Sequence, residues 1–202
     1  MMTVPFLFLG NAAWLDFVNT EIGIGDERVE LLTDFDALMR WGREAALLGG
    51  NEDQGSDGAG LDQSQRTAIL NEALSLRAEL RKAAGDLTRE RPPSSPLVDR
   101  VNKILGEHPI VLSLRRADGA WGIGLTPTGP GPRDVLARVA EDFARFMATA
   151  DPRFLRRCAN ERCRIYFYDT SKNHTRRWCS MELCGNRAKV AGHRLRRSGR
   201  GK

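Results

Sequence analysis

The stretch CANERCRIYFYDTSKNHTRRWCSMELCGNRAKVAGHRLRR, residues 158–197, decides the fold of the C-terminal part of the chain. It holds all four cysteines of the 202-residue sequence, as C-x4-C, fifteen intervening residues, then a second C-x4-C. Cysteine pairs two to four residues apart bend round a single ion, and four thiolates complete the tetrahedral shell that zinc prefers. Neighbouring Arg157, Arg162, Arg164 and Arg177 lower the cost of deprotonating the thiols. Cys158, Cys163, Cys179 and Cys184 are therefore expected to hold one structural zinc.

Other uses of four cysteines fit less well. Two disulfides suit secreted proteins, whose cysteines are usually spread through the core rather than confined to one segment. A redox pair would show C-x-x-C, which is absent. His174 or His193 can stand in for a cysteine as ligand, but four thiolates need no substitute. With no ligand position open for water, a catalytic zinc is not expected.

Inside the module, Ile165–Tyr168 reads as a strand, Asp169–His174 as a turn and Arg176–Trp178 as a returning strand. Ser180 can cap a helix through Cys184 and onward, with Glu182 in its first turn, where the helix dipole favours an acid. A knuckle, a hairpin and a helix that gives the last ligand form a small treble-clef-like finger.

Charge separates this module from the rest. Residues 153–202 carry 15 basic against 3 acidic side chains, a net +12, whereas residues 1–152 carry 16 against 23, a net −7. Two parts of opposite charge read as two functional units, 1–152 and 153–202. Arginine outnumbers lysine 12 to 3 in the basic part. Its planar fork suits phosphate and guanine. Arg176, Arg177, Lys189, Arg194, Arg196 and Arg197 are expected to face a phosphate backbone, with Asn186 and Arg187 able to reach base edges. Simpler readings remain: a solvated basic tail, Asn186 as a local brace, and Arg187 paired with Asp169 or Glu182. Trp178, Tyr166 and Phe167 read as the small core of the module rather than as a stacking surface.

The acidic part reads as mostly helical with one hairpin, which makes the whole chain α+β. Trp14, Phe17, Val18 and Glu21 have helical spacing over 10–21, with Asn11 as N-cap and Gly23 and Gly25 as terminators. Thr33 and Asp36 resemble a capping box for a helix to about Leu48. Residues 49–60, GGNEDQGSDGAG, read as a flexible loop. Ile69, Ala73, Leu76, Leu80 and Leu87 mark a long amphipathic helix, and Ser95-Pro96 opens a shorter one. The period then becomes two, in Ile110, Leu112, Leu114 and in Trp121, Ile123, Leu125, with a turn at 117–119. A last helix over 133–149 buries Val135, Leu136, Val139, Phe143, Phe146 and Met147.

RRWCSMELCGNRAKVAGHR, with the preceding cysteine pair and YDTSKN, resembles the CGNR zinc-finger family, and LDFVNT (15–20) is similar to the opening of its companion ABATE domain. The resemblance implies a bacterial transcription regulator proposed to be stress-induced. It places a DNA-binding finger on zinc held by Cys158, Cys163, Cys179 and Cys184, fused to a domain that senses a signal or small molecule.

No catalytic constellation stands out in residues 1–152, so no enzyme is expected. Asp16 and Asn19, three residues apart beside Trp14, can face a small polar ligand, although such residues more often brace neighbouring helices. No apolar run is long enough to span a membrane, and a cytoplasmic location is expected. Duplex DNA is the expected partner. An RNA- or ribosome-associated protein and a zinc-stabilised protein-interaction module are the alternatives. One finger offers a small interface, so specificity calls for a homodimer or a second element.

Overall fold

The computed structural model describes residues 4–24, 27–48, 58, 60–108, 110–117, 119–127 and 131–190. In chain order its elements are α1 (Ala13–Val18), β1 (Glu21–Ile24), β2 (Glu27–Glu30), α2 (Phe35–Glu44), α3 (Gln63–Leu87), α4 (Ser95–Glu107), β3 (Ile110–Ala117), β4 (Ala120–Pro127), α5 (Asp134–Thr149), β5 (Leu155–Arg157) and β6 (Tyr166–Tyr168), closed by a π turn at Met181–Gly185. The strands form three antiparallel pairs, β1–β2, β3–β4 and β5–β6. The mostly helical N-terminal region, its hairpin and the clustered cysteines agree with the α+β expectation. No described helix is long and apolar enough to cross a membrane.

The chain divides into two compact units. The helical unit takes residues 32–80 and 93–150. Its core comes from the apolar stripes of its helices, with Leu38, Met39, Trp41, Ile69, Leu76, Leu97, Val135, Leu136 and Val139 all buried. Burying each of the larger side chains contributes about 1.5–3 kcal/mol, so these stripes fix the unit. Asp34, not Thr33, caps α2: its carboxylate accepts from Ala37 N at 2.7 Å. Likewise Ser94, one residue before the expected Ser95, stands at the start of α4. Arg100 on α4 ties back to α3 through Glu79 at 2.6 Å and Glu72 O at 3.0 Å. Most of the 49–60 loop lies outside the described residues.

The second unit joins residues 1–31, 81–92 and 151–202, so the segment that begins the chain folds with the cysteine module. Helix α1 is shorter than the 10–21 expected. Asn11 does not cap it but adopts a positive φ of 58°, and the cap position is Ala12. Glu21 and Gly23 lie in β1, a strand that apolar periodicity missed because EIGI is only four residues long and its partner ERVE carries no buried residue. Gly23 is needed for contact: a Cβ there would sit 3.0 Å from Arg162 O and 2.9 Å from Arg164 Cγ. Trp14, Leu15, Phe17, Ile22, Leu155, Ile165 and Phe167 form the core of this unit.

Candidate metal centre and nucleic-acid interface

The first cysteine pair sits at the turn of a hairpin. β5 pairs with β6 in the register Leu155↔Tyr168 and Arg157↔Tyr166, and Cys158 N donates to Ile165 O at 3.0 Å, extending the ladder into the knuckle. The expected partner of β6, a returning strand at Arg176–Trp178, is not a strand. Asp169 explains why. Its buried carboxylate accepts from Ser171 N at 3.0 Å, Ser171 Oγ at 2.6 Å and Arg176 N at 2.8 Å, which closes residues 169–176 into a loop. Burial alone would raise the Asp169 pKa, but the hydrogen bonds from Ser171 and Arg176 hold it below the ordinary carboxylate value.

The second pair flanks the start of a helix. Ser180 Oγ accepts from Glu182 N at 3.1 Å and Leu183 N at 3.3 Å, the cap that the sequence suggested. The first turn is π-helical and the chain continues as α-helix over 186–190. Cys184 is thereby fixed at the helix start, with its N–H on Ser180 O at 3.1 Å.

All four cysteines are buried and unbridged, and their sulfurs lie within 4.8 Å of one another. Cys179 Sγ is 3.7 Å from both Cys163 Sγ and Cys184 Sγ. A disulfide requires about 2.0 Å. A tetrahedral ion with metal–sulfur bonds of about 2.3 Å separates its ligands by roughly 3.8 Å, so the donor set fits zinc. Two N–H groups face the sulfurs: Cys179 N to Cys158 Sγ at 3.4 Å, and Asn160 Nδ2 to Cys184 Sγ at 3.5 Å. Such contacts orient ligands and spread thiolate charge. Hydrogen bonds from Cys163 and then Cys179 pull the Cys158 thiol far below its ordinary pKa, while Cys163 and Cys179, as donors to Cys158, are pushed up. A divalent cation supplies the positive charge that balances four thiolates. His174 is not among the donors, since its ring stacks on Phe154 at 3.7 Å and its Nδ1 meets Asp169 O at 2.8 Å.

The residues expected at nucleic acid fall into three groups. Arg176 is committed internally: Nε donates to Trp178 O at 3.0 Å, Nη2 to Leu9 O at 3.2 Å and also to Cys179 O, and its guanidinium lies 4.2 Å from the centre of the buried Phe167 ring. Arg177, Asn186, Arg187 and Lys189 are exposed. Arg177 lies 5.2 Å from the Trp178 ring centre, and neither Arg187 nor Lys189 forms an ion pair with a described residue. Arg194, Arg196 and Arg197 lie outside the described residues, as does His193. Arg156, Arg157 and Arg162, which sequence reading left out of the interface, are exposed as well.

The candidate ligand residues have internal roles. Trp14 is fully buried. Asp16 accepts from Gly10 N at 2.7 Å. Asn19 donates from Nδ2 to Tyr166 O at 2.8 Å and accepts through Oδ1 from Tyr166 N at 2.9 Å. Gly10 O accepts from Tyr168 N at 2.8 Å, and Asn11 Nδ2 donates to Tyr168 O at 2.8 Å. Residues 10–19 therefore complete the edge of β6 that β5 leaves open. Arg81, a residue that no motif singles out, adds a clamp: it donates to Val18 O, to Glu21 O at 2.7 Å and to Arg164 O at 3.1 Å. Arg164 in turn pairs with Glu21 at 2.9 Å.

Two family models match the sequence. Residues 154–197 match the CGNR zinc finger. Residues 11–150 match ABATE, described as "Putative stress-induced transcription regulator". No curated protein matches the chain. With more than half of its length matched and the cysteine cluster in place, the chain belongs to the ABATE family and carries a CGNR zinc finger at its C-terminal end.

Proposed function

We propose that the protein is a DNA-binding transcription regulator in which one zinc, held by Cys158, Cys163, Cys179 and Cys184, fixes an arginine-bearing helix against a hairpin. The zinc is structural: it supplies folding free energy and charge balance to four thiolates. The observation that carries the reading is that the helix opening at the cysteine cluster presents Asn186, Arg187 and Lys189 to solvent, with no acidic partner on the two helix cations among the described residues. Cations left unneutralised on a rigid support release counterions when they meet phosphates, and this drives binding to polyanions. Arg187 and Asn186 have the chemistry to read guanine and adenine edges, while Arg177 and Lys189 serve the backbone. Arg176 holds the finger together rather than touching DNA.

The family description favours a regulator over an enzyme. Selection of genomic fragments by the zinc-loaded protein tests the proposal. Enrichment of a common duplex motif is expected. Preferential retention of RNA over duplex in direct competition, or no retention of either at physiological salt, would overturn it.

A further inference from the structure

The β3–β4 hairpin carries four large apolar side chains on the outside. Leu112, Leu114, Trp121 and Ile123 are 67%, 71%, 67% and 72% exposed. Register places Leu114 opposite Ile123 and Arg116 opposite Trp121, and strand alternation puts Leu112 on the same face. The other face carries Ser113, Gly122 and Gly124, with Ser113 Oγ donating to Gly124 O at 3.2 Å across the strands. An isolated two-stranded hairpin is marginal in water, and one with its apolar face in solvent needs a cover. Among the described residues nothing provides it.

We propose that this face is a homodimerisation surface, packed on the same face of a second copy. A flat apolar ribbon is complementary to itself, so a twofold contact needs no second kind of surface. Four large side chains at this exposure offer on the order of 500 Å² of apolar surface. Two such faces together bury about 1,000 Å², which reaches the lower limit of specific interfaces and suits a weak, reversible dimer. Arg116 fixes the sense of packing. Its guanidinium lies 5.9 Å from the Trp121 ring centre, at the turn end of the ribbon. A twofold axis across the strands, near the Leu114–Ile123 pair, sets the two Arg116 side chains at opposite ends, whereas an axis along the strands would bring like charges together. The surface belongs to the helical unit and its test requires no nucleic acid.

Sedimentation equilibrium of the full zinc-loaded chain from about 1 to 100 μM decides the matter. The expected result is a reversible monomer–dimer equilibrium. Leu114→Lys with Ile123→Lys should abolish it while zinc content and far-ultraviolet circular dichroism stay unchanged, and Ser113→Lys on the opposite face should leave it intact. Should the double lysine variant fail to fold, Leu114→Ala with Ile123→Ala should weaken dimerisation by at least about tenfold. A wild-type chain that stays monomeric throughout, including one that instead floats with lipid vesicles, would overturn the proposal. So would a dimer that survives folded variants of this face.

Discussion

Asn19 satisfies both backbone groups of Tyr166, giving its amide N–H to the carbonyl at 2.8 Å and taking the Tyr166 N–H on its amide oxygen at 2.9 Å. A single side chain thus acts as a length of β-strand along the open edge of the finger. Asn19→Ala leaves a part-buried donor and acceptor without these partners, at a cost of about 2–4 kcal/mol. Urea denaturation of the zinc-loaded protein measures this, and a loss below about 0.5 kcal/mol would show the clamp to be dispensable.

The same geometry predicts that the finger is not self-sufficient. An isolated 153–202 fragment loses Asn19, Asn11 and Gly10 from β6, and Leu9 O from Arg176. Loss of groups that support metal ligands typically weakens metal binding by about 10- to 100-fold. Competition with a chromophoric chelator should show the fragment holding zinc at least about tenfold more weakly than the full chain. Equal affinities would contradict the role given to residues 9–19.

Asp169 replaces the expected returning strand with a closed loop, and its removal should be felt at any neutral pH. Because its folded-state pKa lies below the ordinary value, its contribution is fully present above the unfolded value of about 3.9 and is lost only as the pH falls through the lowered folded value. Asp169→Asn should therefore destabilise by about 1–3 kcal/mol at pH 8, where the carboxylate is fully ionised. A loss below about 0.5 kcal/mol there would show that the loop closes without it.

Cys184→Ser removes the ligand at the helix start. Elemental analysis should fall from about one zinc per chain to below half, with loss of the helix signal at Asn186–Val190 in nuclear magnetic resonance spectra. A variant retaining a full equivalent and an ordered helix would show that three cysteines suffice.

The sequence made the long-range skeleton readable where a strong period was present. The α3 stripe, the β3–β4 alternation and the Ser180 cap all reappear in the fold. Cysteine spacing brought the four sulfurs together on paper because a metal cluster is a short-range constraint. What stayed hidden depended on contacts distant in sequence. Asn19 reads as a candidate ligand contact and Arg81 as an ordinary polar residue of a helix, and only tertiary structure brings them to Tyr166 and Arg164. Arg176 was assigned outward because a basic run reads as a charged face, yet carbonyl groups of Leu9, Trp178 and Cys179 turn its guanidinium inward. The β1–β2 pair escaped because EIGI, four residues long, is too short for its two isoleucines to set a period, and ERVE is mostly exposed.

In the proposed function, zinc organises a face that reads duplex DNA rather than merely attracting it. Fluorescence anisotropy at physiological salt, with a selected duplex and a scrambled one of equal length, tests this directly. The zinc-loaded protein should prefer the selected duplex by on the order of 10³-fold, and chelation should abolish the preference while leaving weak, salt-sensitive binding to both. Equal affinity for the two duplexes, or a preference that survives removal of the zinc, would contradict it.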